Sequence, residues 1–384
     1  MAQRTEESKG KLSFATQGGQ GEGSYSKSNS AASKTLSACI VPSLEEFLLH
    51  HFSPPQGAGP IYYADFGCAV GANTIGLAKF VTETLKSRPE ISERDFLCYF
   101  ADLPTNDFNT LFNQFPPLAS RDGGNGNVEE RTWFAAGVPG NQFNRMFPRS
   151  SLHVAITTLT LHYLPEIPKS ITDESSPTFN RGCISSHGAS PAVAEVFADT
   201  SREGLRKFFQ CRAEELASGG VLAFYFPSRP DRAHPERQMS EDSMQLALWK
   251  VETAWRELVA EGVMPEELLD TFNVPNCHPS KEEVEEVVDH ETSCFHIQKL
   301  EYIHKHPFSP PNPELILKDA QSYAKWWTGI LRGGLGGMLS AHMAPELTEA
   351  LMERFSKHIE KDYLEKKPQF PMIMNICMGI LIRK

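Results

Sequence analysis

Two kinds of apolar pattern divide this chain. Short runs that are apolar almost without interruption, Ile61–Phe66, Phe96–Ala101, Thr132–Ala136, Leu152–Thr158 and Val221–Phe226, predict strands buried on both faces. Helical spacing recurs between them. It places Leu36, Ile40, Leu44, Phe47 and Leu48 on one face of the segment Ser28–Phe52 and predicts helices over Ala72–Lys86 and from about Asn106 to Pro116. A long helix over Val193–Ser218 then leads through Gly219-Gly220 into the fifth strand. Such alternation predicts a parallel sheet covered by helices on both sides. From Ser240 onward helical periods dominate, over Gln245–Glu261, Lys281–His290, Pro313–Leu331 and Pro345–Lys361, broken by strand-like Phe295–Tyr302 and closed by Met372–Ile382. The expected organisation is a sheet domain over 25–231, completed by strands near 295–302 and 370–384. A helical cap over 232–294 and 303–369 would cover it, with 1–24 as a polar, mobile leading segment.

The chain's 384 residues correspond to roughly two or three domains. A net charge of −11 argues against a nucleic-acid backbone or an anionic membrane as partner. No apolar run reaches the ~18 residues that a membrane-spanning helix needs, and Met1–Lys11 lacks the apolar core of a secretory signal. The eight cysteines are scattered singly, without CxxC or zinc-ligand spacing, as expected of reduced thiols in a cytoplasmic protein.

Candidate chemistry concentrates at Ala64-Asp65-Phe66-Gly67-Cys68-Ala69-Val70-Gly71, where the first strand ends in a glycine turn. Turns at the carboxyl ends of strands form the ligand crevice of open α/β sheets. Neither GxGxxG nor GxxxxGK[ST] is present, so a pyrophosphate cradle is poorly supported and a dehydrogenase reading is distant. Asp102, at the end of the second strand, is placed to accept hydrogen bonds from ribose hydroxyls. A glycine turn plus an acid, with no lysine, suits adenosine without phosphates, which makes S-adenosylmethionine the natural ligand.

Those residues also carry a resemblance. Gln17-Gly-Gly-Gln-Gly-Glu-Gly-Ser-Tyr25, Asp65-Phe-Gly-Cys-Ala-Val-Gly-Ala-Asn73-Thr74, Ala101-Asp-Leu-Pro-Thr-Asn-Asp-Phe-Asn109 and Ala136-Gly-Val-Pro-Gly140 resemble blocks of the SABATH methyltransferases. So do Arg145-Met-Phe-Pro148, Ser151-Leu-His153, Leu161-His-Tyr-Leu164, Phe179-Asn-Arg-Gly182 and Asp270-Thr-Phe-Asn273. That family methylates small carboxylic acids, or nitrogens of purine alkaloids, with S-adenosylmethionine. The resemblance implies a Rossmann-like methyltransferase sheet with a helical cap. Its cofactor site would comprise Tyr25, Asp65, Cys68, Asn73, Asp102, Leu103, Asn141 and Gln142. Asn180, Asp270, Phe272 and Asn273 match positions that some members use for a structural Mg2+, an oxygen-rich set suited to a hard cation. Homodimers are common in the family.

Departures from the family pattern gather in the acceptor pocket. Many members hold the substrate carboxylate between a glutamine, here replaced by Ala32, and a tryptophan, here replaced by Tyr163. The remaining donors are the Tyr163 hydroxyl, His162, which would donate best if protonated, and Gln17, where many members have Lys or Asn. Asn141-Gln142 replaces the usual Ser-Phe, removing an aromatic contact to the cofactor. A carboxylate of ordinary pKa near 4 is already ionised at pH 7, so methyl esterification requires no general base, and the sequence offers no arrangement that demands one. Two other readings stay open at this stage: N-methylation of a heterocycle, and a catalytically silent small-molecule binder. Of the remaining motifs, Tyr323 and Trp326-Trp327 fit either a pocket wall or cap-to-sheet packing, Arg332-Gly-Gly-Leu-Gly-Gly337 reads as a flexible turn, Glu282–Glu286 reads as a solvated face, and His162-Tyr163 could open a helix.

Overall fold

The computed structural model describes residues 39–119, 130–238, 246–310 and 312–384. Its strands are β1 (Ile61–Phe66), β2 (Phe96–Asp102), β3 (Phe134–Pro139), β4 (Leu152–Thr158), β5 (Leu216–Pro227), β6 (Phe295–Phe308) and β7 (Met372–Arg383). They form one seven-stranded sheet in the order β3-β2-β1-β4-β5-β7-β6. The first five are mutually parallel. The last two join as antiparallel neighbours, β7 against β5 and β6 against β7, so the sheet is mixed rather than wholly parallel.

Alternation along each strand feeds two cores. On one face Tyr63, Cys98, Phe100 and Ile156 pack with Leu44 and Phe47 of α1 (Val41–His50) and Leu77, Val81 and Leu85 of α2 (Ala72–Lys86). On the other, Ala64, Phe66, Leu222 and Phe224 meet Leu205, Phe208 and Phe209 of a long helix over Pro191–Glu215. Between them comes α3 (Phe108–Phe112), so the long helix is α4. A third core belongs to helices alone, joining Trp255 of α5 (Leu246–Ala260), Leu269 of α6 (Glu266–Thr271), Trp327 and Leu331 of a helix over Ala320–His342, and Leu351 and Phe355 of another over Pro345–Lys366. With α7 (Lys281–Glu286) and α8 (Pro313–Ile316) counted, these last two are α9 and α10.

Several expectations need correction. The helix expected from Asn106 shrinks to the five residues of α3, because the segment at Leu103–Asn106 is a turn and Asp107 caps the helix by accepting from the Thr110 N–H. β3 starts later than Thr132 and continues through Gly137-Val138-Pro139. β5 starts at Leu216 directly after α4, so the stretch to Ser218 is strand, not helix, and Gly219 with φ +78° sits within it. The helix expected over Lys281–His290 becomes α7 and a π-helical turn at Val287–Thr292. Arg332–Gly337 is no turn; it lies inside α9, where packing of Leu331, Gly333, Gly336 and Leu339 overrides the weak helix propensity of glycine. Glu283 is buried rather than solvated, paired with Arg229 at 2.6 Å and closing a capping box with Ser280. Trp326 stacks on Phe308 of β6 while Trp327 is fully buried in the helical core, which is cap-to-sheet packing. Residues 1–38, and the glycine-rich loop expected over 121–127, lie outside the described residues.

Candidate active site

The carboxyl ends of β1, β2, β3 and β4 converge where the strand order reverses, between β1 and β4, the position at which open α/β sheets bind ligands. At Gly67 the chain adopts φ +80°, and a Cβ there would stand 2.2 Å from Thr160 Cγ2, so only glycine fits. The N–H groups of Gly67 and Cys68 donate to the Ala101 carbonyl at 2.8 and 3.2 Å. Ala69 is left-handed at φ +51°, and its N–H donates to Asp102 Oδ2 at 2.7 Å. The Leu103 N–H donates to Asp102 Oδ1, also at 2.7 Å. One carboxylate thus ties two turns together and still has lone pairs to accept from a ligand.

Burial raises the Asp102 pKa to about 6, against the lowering effect of those two amide donors. Asp65 lies deeper. Its Oδ2 accepts from the Thr74 hydroxyl, and its Oδ1 has no partner among the described residues. Burial, opposed by Thr74 and reinforced by the charge of Asp102, lifts Asp65 to about 7. Two carboxylates held high in pKa beside each other make a site that gains from an approaching cation.

Above this floor opens a cavity of about 1010 Å³, counted with its open mouth. Gly67, Asp102, Leu103, Asn141 and Gln142 form one part of its lining, and Tyr163, Leu164, Pro275, Gly334 and Met338 another. Gly334 and Met338 belong to α9, so the helical layer closes part of the wall. Gln142 is fixed by Thr160, whose hydroxyl donates to its Oε1 at 3.0 Å. The Thr160 hydroxyl also lies against that of Thr157, which donates to the Phe66 carbonyl at 3.0 Å.

Of the expected cofactor residues, Asp102, Leu103, Asn141 and Gln142 line this cavity. Cys68 does not; its thiol is buried beneath the turn, flanked by Gly67 and Ala69, which do. Asp65 and Asn73 are not part of the lining, and the buried Asn73 Oδ1 lacks a partner among the described residues. Tyr25, Gln17 and Ala32 lie outside the described residues.

A model of the S-adenosylmethionine-dependent carboxyl methyltransferases matches residues 11–380. The chain is a member of that family, the SABATH methyltransferases. It is 32% identical over 355 residues to gibberellic acid methyltransferase 2 of Arabidopsis thaliana, covering 90% of this chain and 89% of that protein. Indole-3-acetate O-methyltransferase 1 of the same plant is 32% identical over 349 residues, covering 88% and 87%. In structure it resembles loganic acid methyltransferase with S-adenosylhomocysteine, with a TM-score of 0.80 and 26% identity over 96% of this chain and 98% of that one.

In this carboxyl methyltransferase, the acceptor side departs from expectation at His162. Its ring is buried off the cavity, 5.8 Å from the His278 ring, and its Nδ1 has no partner among the described residues. Burial and the neighbouring imidazole push its pKa well below the ordinary value, which disfavours the charged form. Tyr163 is on the cavity wall, in a turn rather than at a helix start, with its N–H donating to the Thr160 carbonyl at 3.0 Å. Burial, and the nearby Asp102 charge, raise its pKa, so the phenol keeps its proton and remains a donor.

Asn180, Asp270, Phe272 and Asn273 are all buried. Asn180 Nδ2 donates to Asn273 Oδ1 at 2.7 Å, and the Gly182 N–H to Asp270 Oδ1 at 2.7 Å. No cluster of three or more His, Cys, Asp and Glu among the described residues is arranged to hold a metal ion. Sequence reading missed Thr160, Pro275, Gly334 and Met338. Only Thr160 had a signal, its place just past a strand bordering the point of reversed order.

Proposed function

We propose that this methyltransferase esterifies a bulky, largely apolar monocarboxylic acid, of aromatic, phenylpropanoid or terpenoid type. The observation that supports this most is that a single cavity joins the turns expected to hold the cofactor to an apolar chamber walled by Leu164, Pro275 and Met338, with Tyr163 as a polar group on its wall. The close backbone approach at Gly67, the spare lone pairs of Asp102 and the absence of a lysine among the described lining residues fit an adenosyl group without phosphates.

When bound, S-adenosylmethionine supplies an electrophilic methyl on a sulfonium whose departing form is a neutral thioether. The chain's residues then have three tasks. Asp102 and the Gly67–Ala69 turn hold the adenosine. Tyr163 orients the acceptor carboxylate with a neutral donor, which fixes it without quenching its charge. Gln17, outside the described residues, would add a second. The helical layer from α5, α6, α9 and α10, read as a cap, keeps water out of the chamber. No proton has to move, because the acid is ionised; placement alone is worth several kcal/mol of the barrier.

The same reading extends to the oxygen cluster of Asn180, Asp270, Phe272 and Asn273, whose donor set suits a structural Mg2+, and to cytoplasmic residence and a homodimer. Loss of thermal stability on chelation, and light scattering on the purified chain, check the ion and the dimer.

The test of function incubates the full chain with methyl-labelled S-adenosylmethionine and benzoic, cinnamic, indole-3-acetic, terpenoid and fatty acids. The expected product is a methyl ester whose label alkali releases as methanol. Label in an alkali-stable product would instead favour N-methylation, and cofactor binding without transfer a silent binder.

A further inference from the structure

One buried ion pair lies behind the cavity wall and has no part in the chemistry so far. Arg212 and Glu215, one turn apart at the end of α4, are both fully buried. Arg212 Nε donates to Glu215 Oε2 at 2.7 Å and Nη2 to Oε1 at 3.0 Å, a bidentate pair. The guanidinium's remaining reach goes to a single loop. Nη1 donates to the Gln142 carbonyl at 2.8 Å and Nη2 to the Asn144 carbonyl at 3.0 Å. Glu215 Oε1 accepts from the Met146 N–H at 2.5 Å and the Phe147 N–H at 3.1 Å. The other side of the guanidinium lies 4.0 Å from the ring centre of Phe66, the last residue of β1 before Gly67.

We infer that Arg212 and Glu215 are positioning residues for the cofactor, holding the loop between Gly140 and Phe147 in the shape that sets Asn141, Gln142 and Phe143 on the cavity wall. The pair reads two carbonyls and two N–H groups of that loop, and the loop alone spans four of the lining residues, Asn141, Gln142, Phe143 and Met146. Stability is a poor reason for such an arrangement. Well-packed apolar residues of similar volume commonly match or exceed a buried ion pair. What they do not supply is directional donors and acceptors at fixed positions on a loop without regular structure. A guanidinium fork does, because its donors are planar and rigid. With Asn141-Gln142 in place of the family's Ser-Phe, the side chains on this wall differ from the family's, while the pair fixes the backbone that carries them.

The inference rests on the reading of this cavity as the cofactor site, which wild-type binding of S-adenosylhomocysteine checks by itself. The test compares R212K, E215Q and the double variant R212M/E215M, in which both charges leave together and no buried ion is stranded. Calorimetry gives S-adenosylhomocysteine affinity, and steady-state kinetics give KM for cofactor and acid separately. The expected result is a folded double variant whose cofactor affinity falls at least tenfold while acid KM at saturating cofactor stays within about twofold, with R212K intermediate. Folded variants with wild-type cofactor affinity would overturn the inference. Failure of all three variants to fold would overturn it as well, by making the pair structural.

Discussion

Asp102 is the residue on which the proposed cofactor recognition would turn, since it braces two loops through the Ala69 and Leu103 amides and lines the cavity. Replacing it with alanine strands both amides and removes the ribose acceptor. Affinity for S-adenosylhomocysteine should fall roughly ten- to a hundredfold, read by calorimetry. A pH dependence follows from its raised pKa of about 6 against an ordinary 3.8. Such a carboxyl favours the fold while protonated. Its contribution to stability of the ligand-free protein is complete below about 3.8 and is lost as pH rises through about 6. Cofactor affinity should run the other way, weakening between pH 7.5 and 5.5 as the ionised acceptor is lost, and D102N should flatten that profile. At Tyr163 the expected effect falls on turnover. Tyr163→Phe should lower kcat about tenfold with cofactor affinity unchanged, and wild-type kinetics would remove the hydroxyl from the site. Asp102 was legible because an acid at a strand end next to a glycine turn has few structural reasons to be there. His162 was misjudged because sequence does not show that a second imidazole, His278, packs beside it.

Helix α9 shows where element-level reading runs out. Four glycines in Arg332–Gly337 resemble a turn, since each costs a helix interior roughly 0.5–1 kcal/mol relative to alanine. Packing on both sides nonetheless keeps the helix continuous to His342. Gly334 lines the cavity, and a Cβ there would meet nothing within 4 Å. Gly334→Ala should therefore stabilise the protein by up to about 1 kcal/mol, measured by thermal or denaturant unfolding. Gly334→Phe should fill the chamber instead, lowering kcat/KM for the bulkiest acceptor acid several-fold more than for benzoic acid; an unchanged ratio would place the acid elsewhere. By contrast β1, β2, β4 and α2 were legible almost to the residue, because a strand buried on both faces must be apolar throughout and an amphipathic helix must not be. The Arg212–Glu215 pair was not singled out by the sequence pattern. Its one local signal was that Arg212 follows Leu205 and Phe208 on the buried stripe of α4.

At the scale of the whole molecule, the strand-end crevice and the helical layer that overhangs it are brought together by the chain's return. After α9 and α10, β7 inserts antiparallel between β5 and β6, so the helices that wall the chamber are anchored to the sheet that presents the turns. Sequence pattern showed two regimes, sheet and helices. It did not show the antiparallel closure, because direction is set by connection length and edge packing rather than by periodicity. The cavity itself was out of reach for the same reason, since Tyr163, Pro275 and Met338 are far apart in the chain and meet only in the fold. The most direct measurement is a crystal structure of the full chain with S-adenosylhomocysteine and an acid that it esterifies. The account predicts the ribose hydroxyls on Asp102 and the acid's carboxylate beside Tyr163, one oxygen in line with the sulfur and separated from it by the room a methyl group needs. An acid seated outside the Tyr163–Met338 chamber, or an adenosyl group away from Asp102, would contradict it.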